Sequence, residues 1–132
     1  MPNSRFLFLN VGHTVDHLFM LMFPAVAALA AVEFGATYGE LLTLATGSFI
    51  AFGVFSLPMG WLADRFSREF MLSVFFFGIG GAMILTGFAQ ERWQIVAALT
   101  LVGMFAAIYH PVGLAMVSQG GGEVGRRLGV NG

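Results

Sequence analysis

The sequence predicts an all-α integral membrane protein with four transmembrane helices, and three observations carry that prediction. Hydrophobic residues make up 58% of the chain and charged residues only 10%, where a soluble domain carries roughly 25% charged. Mean hydropathy is +0.84. Four apolar stretches each reach the roughly 20 residues that a helix needs to cross a bilayer core, and short polar separators divide them.

The first stretch, residues 6–31, follows Arg5 and ends before Glu33. The second covers residues 38–62 and runs into the polar group Asp64–Glu69. The third covers residues 70–88, and the fourth, residues 93–117, begins just after Gln90, Glu91 and Arg92. Short separators make consecutive helices antiparallel neighbours. Pro24, Pro58 and Pro111 fall inside the stretches, where membrane helices tolerate proline at the cost of a kink. Three spaced pairs of small residues, Ser56 with Gly60, Gly78 with Ala82 and Gly103 with Ala107, let helix backbones approach closely. Residues 118–132 read as a cytoplasmic tail, with Gly120, Gly121 and Gly122 and then Arg126 and Arg127, of the kind that leads into another helix. The expectation is a chain truncated from a longer protein.

Orientation follows from the arginines. Arg5, Arg65, Arg68, Arg126 and Arg127 fall on one side of an up-and-down arrangement, and Arg92 falls on the other. The positive-inside rule then places both ends and the 64–69 loop in the cytoplasm, in a multi-pass protein of the inner (plasma) membrane. The first apolar run is too long, and lacks the small-residue cleavage site, to be a secretory signal.

Composition also excludes function classes. The chain has no lysine and a formal net charge of −1, which argues against a nucleic-acid partner. It has no cysteine, so disulfides, thiolate metal sites and a cysteine nucleophile are excluded. No Ser-His-Asp order, phosphate-binding glycine loop or pair of catalytic carboxylates is present. The expected protein is not an enzyme and needs no cofactor.

Ionisable groups at membrane depth cost roughly 2.5–3.5 kcal/mol each at a helix centre and mark function by default. The first stretch carries Asn10, His13, Asp16 and His17, whose spacing puts all four on one helix face. The fourth carries Tyr109 and His110 immediately before Pro111. An acid coupled to histidines in this way can change protonation in the physiological range. These six residues are therefore the candidate proton-coupling and substrate-cavity residues. The plainer reading is a wetted structural cluster two to three turns from the cytoplasmic end. His13 and His17, at i and i+4, could also ligate a metal or haem iron with Asp16 or His110, but nothing in the spacing enforces this, and no metal is expected.

The segment Gly60-Trp61-Leu62-Ala63-Asp64-Arg65-Phe66-Ser67-Arg68-Glu69 resembles the G-x-L-A-D-R-x-G-R-R/K signature that follows the second helix in major facilitator superfamily transporters. Ser67 replaces the second glycine of the signature and Glu69 its final basic residue. A finer match is to the fosmidomycin-resistance-type efflux branch. It rests on Gly12-His13-Thr14-Val15-Asp16-His17, on Ile108-Tyr109-His110-Pro111, and on the glycine-rich basic segment from Gly120 to Arg127. Asp16-His17 stands where that branch has Asn-Asp, a shift of one residue and so of about 100° around the helix.

The resemblance implies that the four helices are part of the N-terminal six-helix half of that fold. It implies proton-coupled secondary transport of a small molecule, in the direction of efflux, by alternating access between two halves. Gly60, Asp64, Arg65 and Arg68 would form a cytoplasmic latch against the other half. The implied partners are the lipid bilayer, protons, a small-molecule substrate and the remaining helices of the same transporter. Two alternatives stay open: a complete four-helix exporter acting as a dimer, and a non-transporting membrane protein holding metal or haem.

Overall fold

A computed structural model describes residues 2–119 and 123–132. Gly120, Gly121 and Gly122, part of the glycine-rich segment singled out above, lie outside the described residues. The described chain is all helical: α1 (Asn3–Glu33), α2 (Tyr38–Leu44), α3 (Thr46–Arg65), α4 (Arg68–Gly87), α5 (Arg92–Ala106), α6 (Tyr109–Ser118) and α7 (Val124–Asn131). Four helical stretches are long and apolar enough to cross a membrane: Asn3–Glu33, Tyr38–Arg65, Arg68–Gly87 and Arg92–Ser118. The second combines α2 with α3 and the fourth combines α5 with α6.

The two interruptions have local causes. Pro111 lacks an N–H, so the carbonyl four residues earlier, on Ala107, loses its helical donor. The ladder breaks at Ala107 and Ile108, where the Ile108 N–H donates to Phe105 at 3.1 Å instead of to the residue four before it. Pro24 and Pro58, by contrast, sit inside uninterrupted helices. At Ala45 the break is a tightened turn, with the Ala45 N–H donating to Leu42 at 3.1 Å and that of Ser48 to Ala45 at 3.0 Å.

Helix ends are set by polar residues in the separators. Thr37 caps α2: its hydroxyl accepts from the Glu40 N–H at 3.2 Å, while the Glu40 carboxylate accepts from the Thr37 N–H at 2.7 Å. This reciprocal arrangement satisfies two otherwise orphaned donors. Ser67 caps α4 by accepting from the Phe70 N–H at 3.1 Å. Glu69, in the first turn of α4, suits the positive end of the helix and pairs with Arg5 at 2.9 Å. Both departures from the loop signature thus have a structural use here: Ser67 starts a helix, and Glu69 ties it to the start of α1.

Helix α5 lies between α3 and α4, and α1 packs against α2, α4, α5, α6 and α7. Small residues decide how closely these elements approach. At Gly103 an added Cβ would collide with the backbone of Ser48, so α5 meets α3 main chain to main chain. At Gly78 it would strike the Phe105 ring, and at Gly60 it would sit 3.3 Å from Pro111 Cβ. One member of each predicted small pair is therefore at a helix contact. The larger buried cluster centres on Leu9, Phe75, Ile79, Val102, Tyr109 and Val112. A second gathers Phe23, Ala27, Leu41, Ile95 and Leu99 near the opposite end.

The outer surface is apolar. Leu57 and Phe77 are each 85% exposed, Val32 84% and Leu29 78%. An aqueous surface does not carry so many bare large side chains in one band, whereas hydrocarbon accepts them without cost. The fold is that of a multi-pass membrane protein.

Three outcomes follow for stability of the purified protein. Gly103→Ala overpacks a backbone contact and lowers stability by about 1–3 kcal/mol or more. Gly80→Ala meets nothing within 4 Å and is neutral or stabilising by up to about 1 kcal/mol through helix propensity. Thermal unfolding in detergent compares the pair; equal effects would contradict the packing described. Ser67→Ala removes the α4 cap and costs about 1 kcal/mol in the same assay, and no loss would mean that the cap is idle.

Candidate functional site: a histidine–carboxylate cluster between α1 and α6

The break before α6 puts Tyr109 and His110 in the first turn of that helix, facing the polar stripe of α1. Tyr109 is fully buried. Its ring fits there because two glycines make room: an added Cβ on Gly12 would lie 2.8 Å from the ring and one on Gly113 2.7 Å from it. The Tyr109 hydroxyl donates to the Leu9 carbonyl, and the ring stacks on His13 with centroids 5.2 Å apart and planes 11° from parallel. Tyr109 thereby fixes His13 from the side.

His13 is held from a second direction. Its Nδ1 is hydrogen-bonded to the backbone carbonyl of Asn131 in α7. A carbonyl only accepts, so Nδ1 carries the proton and a neutral ring presents a lone pair at Nε2. That Nε2 lies 3.0 Å from Nε2 of His17, one turn further along α1. His110 approaches both rings edge-on, at centroid distances of 5.2 Å from His13 and 5.8 Å from His17. Nitrogen atoms of all three histidines lie within 4.8 Å of one another.

Asp16 completes the cluster. Its side chain is 1% exposed, and Nε2 of His110 lies 3.4 Å from Oδ2. Neither carboxylate oxygen has a hydrogen-bond partner among the described residues. A buried carboxylate without hydrogen bonds is costly, and the nearby His110 imidazole is the group placed to offset that cost. His17, on the exposed side of α1, marks the open side of the cluster.

The structure brings the six candidate residues together. Asn10 is tied in through the Asn131 side chain, whose Nδ2 donates to Asn10 Oδ1 and to the Tyr109 hydroxyl, each at 3.3 Å. Asn131, buried at 5% exposure, is the site residue that sequence reasoning missed. It sits in a polar tail, and its most specific contact is made by its backbone carbonyl, which no residue type signals. The 3.0 Å between the two α1 imidazole nitrogens leaves no room for a haem iron with one on each face.

The four residues expected to form a latch sit elsewhere, at the end of the bundle where α3 passes into α4. Asp64 is 78% exposed and lies 3.9 Å from Arg68. The Arg65 guanidinium stands 5.3 Å over the Trp61 ring, while Gly60 faces Pro111 on α6. Arg5, Asp64, Arg68, Glu69 and Gln119 line one polar hollow of about 310 Å³ there. At the other end of the bundle Arg92 donates to the Phe34 carbonyl at 3.3 Å.

Comparison with known proteins bears on what this arrangement belongs to. The chain is 32% identical over 107 residues to a Na(+), Li(+), K(+)/H(+) antiporter of Planococcus maritimus, covering 76% of this chain and 24% of that protein. It is 36% identical over 86 residues to the puromycin resistance protein pur8 of Streptomyces alboniger, covering 63% of this chain and 17% of that one. It is 28% identical over 110 residues to a probable 4-methylmuconolactone transporter of Cupriavidus pinatubonensis, covering 82% and 25%. The chain thus spans about a quarter or less of the length of these curated relatives. No solved structure matches. The family model of the Major Facilitator Superfamily matches residues 11–132, and with it the histidine–carboxylate cluster, the signature loop and the membrane-spanning helices: the chain belongs to this superfamily of transporters.

Proposed function

We propose that the chain forms part of a proton-coupled secondary transporter that moves a small molecule outward by alternating access. The observation that carries this reading is Asp16: a carboxylate at 1% exposure, on a membrane-spanning helix, with no hydrogen bond to either oxygen among the described residues and an imidazole 3.4 Å away. Intramembrane acids so placed serve ion or proton pathways. Here His13, His17 and His110 offer neighbouring sites between which a proton can pass, and Tyr109 with Asn10 holds their geometry.

The names of the relatives support the same reading. One is an antiporter that includes H+ among its ions, one confers resistance, and one is named a transporter. Within the superfamily, the step Tyr109-His110-Pro111 and the helix carrying His13 and Asp16 favour the fosmidomycin-resistance-type branch. Both ends of the chain would lie in the cytoplasm of a cell whose inner membrane it spans. Exposed Asp64, with Arg65 and Arg68, is available at that end to meet the other half of the transporter as a latch.

The test is flux. In everted vesicles bearing the protein, addition of Na+, K+ or puromycin as trial substrates should collapse an imposed pH gradient for at least one of them. Asp16→Asn should reduce that response to the level of empty vesicles while the protein remains inserted in normal amount. An undiminished response from Asp16→Asn would make the cluster structural and overturn the proposal.

A further inference from the structure

The lone pairs left open in the α1–α6 cluster have a geometry of their own. We infer that His13, His17 and His110 form a three-imidazole site for a divalent transition cation of the zinc type, with Asp16 beside His110 as its counter-charge.

Four observations support the assignment. First, ligand nitrogens from three imidazoles lie within 4.8 Å of one another. With metal–nitrogen bonds of about 2.0–2.1 Å, a tetrahedral shell places its ligand atoms roughly 3.3 Å apart. The His13–His17 separation of 3.0 Å is close to that value. Second, His13 donates its other ring nitrogen to a backbone carbonyl, the outer contact by which zinc-binding histidines are fixed in tautomer and direction.

Third, the facing Nε2 atoms of His13 and His17 lie 3.0 Å apart, a contact that a proton on His17 Nε2 or a shared cation can fill. His13 presents a lone pair there, and so does His17 unless it carries its own proton at Nε2; a cation satisfies both at once. Fourth, both oxygens of Asp16 are buried without a hydrogen-bond partner among the described residues, and one of them is 3.4 Å from His110. Three imidazoles form a borderline donor set that suits zinc-type ions rather than calcium or magnesium, which take oxygen ligands, and the nearby carboxylate adds a compensating charge. The carboxylate also removes one unit of the ion's charge from the apolar interior. Asn131 and Tyr109 are positioning residues: they hold His13 and do not touch the ion.

As a bound ligand the cation rests on this geometry alone. As cargo it rests on the transport reading, and it names the substrate class. Exposed His17 gives the ion its way in.

The experiment is titration of the purified protein in detergent with Co2+, followed by visible absorption, and then by Zn2+ as competitor. The expected result is the intense d–d bands of a four-coordinate Co2+ centre at one ion per chain, removed by Zn2+. His17→Ala should lose the bands. His17 is exposed, so the variant should keep its fold, checked by an unchanged helical circular dichroism spectrum. His110→Ala should lose them too, and Gly80→Ala should keep them. A pale six-coordinate spectrum, or bands that survive His17→Ala and His110→Ala, overturns the assignment. Absence of the bands alongside an Asp16-dependent pH-gradient response would remove the cation site and leave the transport reading standing. Bands in a protein whose vesicles show no such response would do the reverse.

Discussion

The structure depends on one constraint: a carboxylate, Asp16, is held inside an apolar helical bundle with no hydrogen bond to either oxygen among the described residues. Taking a charged group out of water costs several kcal/mol unless it is paired and hydrogen-bonded. A structural ion pair would be arranged to satisfy those oxygens, and this one is not. His110 stands within ion-pair distance, but its imidazole also faces two further histidines, so the acid belongs to a group of four rather than to a pair. A proton shared with His110 or a cation can meet those lone pairs, which is why the cluster is the candidate site.

The surrounding helices are shaped to maintain it. Tyr109 is the central piece: its ring lies against Gly12 on α1 and Gly113 on its own helix, its hydroxyl reaches Leu9, and its face supports His13. The break caused by Pro111 lets α6 start afresh at Tyr109, directing Tyr109 and His110 at α1. Helix α7 adds the last restraint through Asn131, which contacts His13 by its carbonyl and Asn10 and Tyr109 by its amide. Away from this knot, Gly103 against Ser48 brings α5 onto α3, and the bare outer face of Leu57, Phe77 and Val32 is left to lipid.

Much of this was legible because a bilayer imposes simple rules. A helix must be about 20 residues long to cross, so the four spans could be counted from composition. Helical spacing alone placed Asn10, His13, Asp16 and His17 on one face, and their chemistry marked them as unusual. The loop motif was legible as a pattern, although the capping role of Ser67 and the partner of Glu69 became visible only in three dimensions. Other features left no local trace. The turn at Ala45 has no proline to announce it. Gly12 and Gly47 look like any other membrane glycine until Tyr109 and Thr100 are seen against them. Asn131 contributes by a backbone carbonyl from over a hundred residues away, which no residue pattern encodes. The two nitrogens facing each other across 3.0 Å likewise depend on side-chain directions fixed by tertiary contacts.

The central claim is that Asp16 is kept for function at some expense to the fold, and its stability effect tests that most directly. Thermal unfolding of purified Asp16→Asn should occur at the same temperature as the parent protein or higher, because the substitution removes a buried charge that lacks hydrogen bonds. A fall in stability on the scale of a broken structural ion pair, about 3–5 kcal/mol, would show instead that the Asp16–His110 contact holds the helices together, and would contradict the account.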